Sequence, residues 1–205
     1  MERLSEKIIQ YMIENNIFPE DDKEIYAFGL TQMVRALLNI ITTIFIGFCF
    51  GKVIESGVFV VFTILVRTNS GGYHSDSPVC CYLISVVSTI IALYLVITQV
   101  CSTNLMIVLL FVSFVVFIKY APIGHINKVL DKVEISTYKR RLLLILLSIA
   151  FIESIFIAFQ KLYLFSAGGY ACIFSMLMLI VGKYRLDHPY NGNKEINYDS
   201  KFIGK

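Results

Sequence analysis

The chain has 205 residues, of which 57% are hydrophobic and 16% are charged, and its mean hydropathy is +0.71. Soluble domains are about 45–50% apolar and about 25% charged, so the composition excludes an ordinary soluble domain. The formal net charge of +3 does not favour a nucleic-acid partner. We therefore predict an all-α polytopic integral membrane protein, with residues 1–205 forming a single membrane domain.

Residues 1–18 predict an amphipathic helix that lies on the membrane surface. Their apolar residues recur on one helical stripe, formed by Leu4, Ile8, Ile9, Met12 and Ile13. Because the segment lacks an uninterrupted apolar stretch and a small-residue cleavage site, we do not predict a signal peptide.

Six apolar stretches follow, and each predicts a transmembrane or membrane-embedded helix. A helix needs about 20 apolar residues to cross the bilayer core. The predicted spans are residues 26–50, 53–66, 81–98, 105–118, 142–159 and 163–181, followed by a tail over residues 182–205. The second stretch is short, so four full spans with two re-entrant or interfacial segments is an alternative.

Basic residues predict the orientation of these spans. They concentrate in the N-terminal segment, after the second span, after the fourth span and in the tail. Since loops rich in Lys and Arg stay on the cytoplasmic side, we expect a cell-membrane protein with both termini in the cytoplasm.

Ionisable and polar residues inside apolar spans are costly and indicate function or internal pairing. Gln32, Arg35 and Asn39 share one face of the first span, and Arg35 and Asn39 are candidate substrate contacts. The alternative is that Arg35 extends to the headgroups. Glu153 either pairs inside the bundle or marks the outer half of the fifth span.

Residues 67–81, between the second and third spans, carry the best candidates for chemistry. Ser77-Pro78 predicts a helix start, so Cys80 and Cys81 fall in the first helical turn, where the helix dipole favours a thiolate. Gly71-Gly72 permits a turn that brings His74 back over this helix start. A neighbouring His and Cys can act as base and nucleophile.

Four further interpretations of this segment stay open. Arg67 is a candidate for binding an oxyanion or a substrate carboxylate, and Asp76 either orients His74 or is a surface acid. A tight loop without chemistry is one alternative. A zinc site of His74, Cys80 and Cys81 is another, although adjacent cysteines fit zinc poorly.

The segment resembles the signature of the AgrB family of membrane cysteine endopeptidases. Arg67, Gly72, His74 and Cys81 match its pattern of an Arg, then Gly-x-His, then a Cys seven residues after the His. The resemblance selects Cys81, and not Cys80, as the nucleophile with His74 as the base, and it gives Arg67 and Gly72 supporting roles.

A second segment, Tyr120-Ala121-Pro122 followed by His125, Asn127 and Lys128, is similar to the family's Tyr-Ala-Pro…His-Pro-Asn-Lys-Pro motif. Ile126 and Val129 stand where the family commonly has prolines.

The resemblance implies a peptidase that removes the C-terminal tail of an AgrD-like precursor peptide at the cytoplasmic face and promotes closure of a thiolactone or lactone ring. It implies no cofactor and no metal, membrane lipid as surroundings, and leaves a homodimer open. Lys128 and Lys132 are candidate contacts for an acidic part of the precursor; the alternative is that they serve only to orient the spans.

Two rival functions come from other classes of protein. A small peptide transporter would use Arg35, Asn39 and Glu153 to line a path, although the sequence has no evident inverted repeat. A non-catalytic membrane scaffold is the other.

Overall fold

The computed structural model describes residues 23–71, 78–123 and 131–187, which form a bundle of six α-helices. The helices are α1 (Lys23–Cys49), α2 (Val53–Ser70), α3 (Pro78–Thr98), α4 (Thr103–Tyr120), α5 (Lys132–Ala158) and α6 (Leu162–Asp187). All six are long and apolar enough to cross a membrane. The predicted all-α, multi-pass membrane fold is therefore confirmed. The predicted amphipathic helix over residues 1–18 lies outside the described residues.

The second helix continues beyond the apolar stretch that predicted it. α2 has 18 residues and ends at Ser70, which corresponds to about 27 Å of helix. In its polar last turn, Thr68 and Asn69 satisfy their side chains by donating hydrogen bonds to carbonyls of the preceding turn, at 2.8 and 3.0 Å. This length is close to the ~30 Å of a bilayer core, as a full span requires.

Short connections and longer segments lie at opposite ends of the bundle. Three or four residues join α1 to α2, α3 to α4 and α5 to α6, and we call this end the turn end. The other end, which we call the loop end, holds Ser70, Pro78, Tyr120, Lys132 and Asp187. Consecutive helices are thus antiparallel, so the last turn of α2 and the first turn of α3 lie at the same end.

α6 is the central helix of the bundle. It packs on α2 and α4 most extensively and also on α3 and α5. The eight consecutive residues from Phe165 to Cys172 are all buried, so more than two turns of this helix are covered on every side. A helix surrounded in this way fixes the relative positions of the helices packed against it.

Small residues allow α6 to approach its neighbours closely. Helices in lipid associate mainly through packing, since lipid is as apolar as the side chains, and small residues improve that packing. A Cβ atom at Gly169 would lie 2.6 Å from the sulfur of Met106 on α4, and one at Gly168 would overlap the Glu153 carboxylate and lie 2.8 Å from the Phe62 ring. The glycines therefore set the spacing of α2, α4 and α5 around α6.

The first helix joins the bundle through α2 and α3. Thr42 on α1 and Tyr82 on α3 form a hydrogen bond of 2.8 Å between their hydroxyls. On the α2 side, the space that a Cβ atom at Gly47 would occupy is filled by the side chain of Ser56. These contacts leave most of the outer face of α1 covered with exposed apolar side chains, as expected of a surface that faces lipid.

The packing predicts different effects for two Gly→Ala changes. Gly168→Ala introduces a methyl group into occupied space, and overpacking of this kind costs about 1–3 kcal/mol. Gly57→Ala on α2 is the matched control, because a Cβ atom there meets nothing within 4 Å. We expect thermal unfolding in detergent to show a lower melting temperature for Gly168→Ala alone. Equal melting temperatures for the two variants would contradict the close approach of α5 and α6.

Candidate active site

The fold brings together Arg67 and Cys81, two residues of the predicted site. Arg67 lies on the last turn of α2, and Cys81 lies on the first turn of α3. Both side chains are half-buried, and they are close enough to interact electrostatically. The guanidinium and the thiol thus lie within electrostatic reach of each other at the loop end of the bundle.

The first turn of α3 places its two cysteines differently. The helix begins at Pro78, as the Ser77-Pro78 pair predicts. Consecutive helical residues point about 100° apart, and here Cys80 is exposed whereas Cys81 is partly buried. The Cys81 carbonyl accepts a hydrogen bond of 3.2 Å from the Ser85 hydroxyl. Of the two thiols, Cys81 is therefore the one on the interior side of α3.

The end of α2 is bound to the segment that follows α4. The backbone N–H of Ile123 donates to the Ser70 carbonyl at 3.0 Å, and the Gly71 N–H donates to the Arg67 carbonyl at 3.1 Å. Gly71 has a φ of +71°, and a Cβ atom there would overlap the Ile123 carbonyl. The structure therefore joins the Arg67–Gly71 segment to the Tyr120-Ala121-Pro122 segment, two parts of the sequence about 50 residues apart.

A recess extends from Arg67 into the bundle between α2, α3 and α6. Its cavity volume is about 20 Å³, which is room for about one water molecule. Apolar side chains and side chains that carry hydroxyl groups both line it. The lining residues are Phe59, Thr63 and Arg67 of α2, Ile84, Ser85 and Ser88 of α3, and Phe174, Ser175 and Met178 of α6.

Comparison with known proteins identifies the family. Residues 5–181 match the family model described as Accessory gene regulator B. The chain belongs to the AgrB family. Over 135 residues it is 27% identical to a "Putative AgrB-like protein" of Clostridium perfringens strain SM101 (Type A) and 24% identical to a "Putative AgrB-like protein 2" of Clostridium perfringens strain 13 (Type A).

Each of these alignments covers 62% of this chain and 63% of the relative, so the chain spans less than two thirds of the length of the curated relatives it matches. No solved structure matches the chain significantly. The expected membership of the AgrB family is thus confirmed, and the matched region includes both resembling segments.

Several residues predicted for the AgrB-type site lie outside the described residues. These are Gly72, His74, Asp76 and Lys128; Lys132 begins α5, but its side chain is not among those described. Their roles stay predictions, and so does the zinc alternative, which includes His74.

Arg35 and Asn39 are half-buried on α1, and neither lines the recess. Their predicted contact with substrate is untested. Glu153 is 2% exposed, and within the described part of the chain neither of its carboxylate oxygens has a hydrogen-bond partner. It packs against α6 at Gly168, whereas α1 packs mainly on α2 and α3. The residues of the rival transport path are thus on different interfaces.

The hydroxyl groups of the recess are not among the residues predicted from the sequence. Thr63 precedes Arg67 by four residues, so helical spacing places both on one face of α2. Ser85 and Ser88 follow Cys81 by four and seven residues, so they share a face of α3 with Cys81. That signal was available from the sequence. Ser175 lies more than 90 residues from Cys81, and no local pattern relates them.

The contact between Gly71 and Ile123 predicts a second matched pair of variants. Gly51 also has a positive φ, +65°, but a Cβ atom there meets nothing within 4 Å. Gly51→Ala carries the strain of a positive φ, about 1–3 kcal/mol. Gly71→Ala also carries it, at a ψ of −157° that essentially only glycine adopts, and overlap with the Ile123 carbonyl adds about 1–3 kcal/mol. We expect Gly71→Ala to lower the melting temperature in detergent by clearly more than Gly51→Ala does. Equal losses would argue against the approach of the two segments.

Proposed function

We propose that this chain is a membrane cysteine endopeptidase that removes the C-terminal tail of a short quorum-sensing precursor peptide and promotes closure of its thiolactone or lactone ring. Membership of the AgrB family supports a role in processing agr-type peptides. The observation that carries the proposal is that the fold brings Arg67 within electrostatic reach of the half-buried thiol of Cys81.

In the first step, the sulfur of Cys81 attacks the scissile carbonyl carbon while His74 accepts the thiol proton. The tetrahedral intermediate then collapses. The carbon–nitrogen bond breaks, His74 protonates the departing amine, and the precursor remains attached to Cys81 as a thioester. The released product is the C-terminal tail.

In the second step, an internal Cys or Ser of the precursor attacks the thioester carbonyl. A new sulfur–carbon or oxygen–carbon bond closes the ring, and the thiol of Cys81 is regenerated by protonation. Water competes for the same thioester, so the acyl group must be kept from solvent until the internal nucleophile arrives. The partly buried position of Cys81 favours ring closure over hydrolysis.

Arg67 stabilises the oxyanion of each tetrahedral intermediate. The guanidinium lies within electrostatic reach of Cys81, and negative charge develops on the carbonyl oxygen near that thiol during attack. Its charge is held in partly buried surroundings, where electrostatic interactions are stronger than in water. Gly72 supports the turn that brings His74 to the thiol.

The site faces the cytoplasm in this proposal, and both termini lie on the same side. Lys128 and Lys132 attract the acidic part of the AgrD-like precursor, and membrane lipid surrounds the bundle. No metal or cofactor takes part in either step.

Processing of a co-expressed precursor tests the nucleophile. The precursor is a short peptide with a central Cys or Ser encoded next to this chain, and its size is followed by mass spectrometry. We expect Cys81→Ala and His74→Ala to abolish release of the tail, because each removes a group that takes part in bond cleavage. The matched controls Cys80→Ala and His188→Ala should process the precursor as the unchanged chain does.

Full cleavage by Cys81→Ala would exclude the proposed mechanism. A precursor that stays intact with the unchanged chain would favour the transporter or the scaffold. A precursor whose internal nucleophile is replaced by Ala should leave a covalent adduct on the protein, detectable by intact mass and removable with hydroxylamine.

The role of Arg67 predicts a loss of rate that depends on charge. Removing one oxyanion-stabilising group typically costs about 10²- to 10³-fold in rate, so we expect Arg67→Gln to slow tail release by that factor and Arg67→Lys to slow it less. Arg141→Gln, an exposed arginine of α5, is the control. The initial rate of tail release in membranes is the measurement, and equal rates for Arg67→Gln and the control would disprove the role.

A further inference from the structure

Two lysines converge on one aromatic ring at the loop end of the bundle. The Lys119 ammonium lies 5.3 Å and the Lys183 ammonium 4.1 Å from the centroid of the Tyr120 ring. Lys119 and Tyr120 are the last two residues of α4, whereas Lys183 lies four residues before the end of α6. Both distances are within the range of a cation–π interaction, about 6 Å. We call these three residues the Tyr120 cluster.

The turn end shows how the protein completes a similar arrangement with an acid of its own. There the Lys52 ammonium lies 3.6 Å from the centroid of the Tyr163 ring and 3.2 Å from a carboxylate oxygen of Glu55. One lysine is thus balanced by one carboxylate.

The Tyr120 cluster has two lysines and no such acid. Neither ammonium has a carboxylate within 4.0 Å among residues 23–71, 78–123 and 131–187. Like charges in a small region repel each other, and the ring compensates them only in part. The cluster is therefore suited to bind an anion that both lysines contact.

The position of the Tyr120 cluster corresponds to the headgroup layer of a membrane. Tyr120 is about 26 Å of helical rise from the start of α4 at Thr103, close to the ~30 Å thickness of the hydrocarbon core. Tyrosine is enriched at this boundary, and lysine side chains extend toward the headgroups. The anions that are most abundant in this layer are lipid phosphates.

The surface below the Tyr120 cluster is apolar and exposed. One helical turn deeper, Val115 of α4 and Ile180 of α6 are exposed side chains, as on a surface that acyl chains cover. A ligand with an anionic head and apolar chains thus fits both parts. A free phosphate ion or an acidic peptide would gain the same charge contacts, but neither would use the apolar surface below them.

We propose that the Tyr120 cluster binds one anionic phospholipid, with its phosphodiester between Lys119 and Lys183 and its acyl chains beside Val115 and Ile180. Lysine is a point charge on a flexible stem, so two lysines of neighbouring helices can reach one phosphodiester. Basic pockets between membrane helices are a recurrent type of lipid-headgroup site. The proposal does not depend on the peptidase chemistry or on which side of the membrane the loop end faces.

The bound lipid strengthens the loop end of the bundle. It joins the end of α4 to the end of α6, and the backbone just after Tyr120 is the segment whose Ile123 N–H donates to the Ser70 carbonyl of α2. A ligand that binds only the folded protein stabilises it. Anionic lipid therefore stabilises the end of the bundle that also holds Arg67 and Cys81.

Retention of lipid by the full chain tests the site. The chain is reconstituted in phosphatidylcholine with a minor share of phosphatidylglycerol, and the lipids that stay bound in detergent are identified by native mass spectrometry. The unchanged chain should retain phosphatidylglycerol in preference to phosphatidylcholine. A lysine near the surface changes affinity for anionic lipid about fivefold, so Lys119→Gln and Lys183→Gln should each lower the preference by that factor. Absence of any preference in the unchanged chain would overturn the proposal.

Lys139→Gln is the matched control. Lys139 is an exposed lysine near the start of α5, so the substitution removes the same charge from the same end of the bundle but from neither α4 nor α6. It should leave the preference unchanged. Equal losses for Lys139→Gln and Lys183→Gln would refute a defined site, because the attraction would then belong to the basic surface as a whole.

Competition identifies the occupant of the site. Neither excess inorganic phosphate nor an acidic peptide should displace phosphatidylglycerol when ionic strength is matched with sodium chloride, because neither supplies acyl chains. Displacement by either one would contradict the assignment to a lipid.

Thermal unfolding in mixed micelles is the second measurement. Phosphatidylglycerol should raise the melting temperature of the unchanged chain and of Lys139→Gln relative to phosphatidylcholine, and it should not raise that of the double variant Lys119→Gln/Lys183→Gln. The melting temperature of the double variant in phosphatidylcholine shows whether it is folded. An equal increase in the double variant would rule out the proposed lipid contacts.

Discussion

Backbone groups at the end of a membrane helix need hydrogen-bond partners, and α2 finds one on the segment after α4. The N–H of Ile123 donates to the carbonyl of Ser70, and the backbones come so close that Gly71 has no space for a side chain. Unpaired backbone groups are costly where water is scarce, so this contact holds the last turn of α2 in place. Arg67 lies on that turn, and its position within electrostatic reach of Cys81 depends on it.

The central position of α6 extends this arrangement into the interior. Its small residues admit α2, α4 and α5 at close range near the turn end. Nearer the loop end, Phe174, Ser175 and Met178 of the same helix form the rear of the recess. The central helix therefore also forms part of the recess, so substitutions that change the packing of α6 should alter the recess as well.

Glu153 and the recess occupy different levels of the bundle. Glu153 lies against Gly168, whereas the recess reaches Ser175, seven residues further along α6 and about 10 Å away by helical rise. The recess is lined by the Arg67 guanidinium and by four side chains that carry hydroxyl groups.

Apolar stretches and their lengths, by themselves, determined the all-helical membrane class and the six helices, because the bilayer fixes how many apolar residues a helix needs. The Ser77-Pro78 pair determined the start of α3 at Pro78, because Ser suits the N-cap and Pro suits the first helical position. The motif spacing in the sequence also identified Arg67 and Cys81 as candidate site residues. The tertiary structure alone decided that α6 is central, that Gly71 meets Ile123, and that Thr63 and Ser175 line one recess. In a membrane helix the lipid-facing and interior sides are both apolar, so periodicity does not reveal which faces meet. Contacts between distant segments are set by the packing of whole helices, and no local pattern records them.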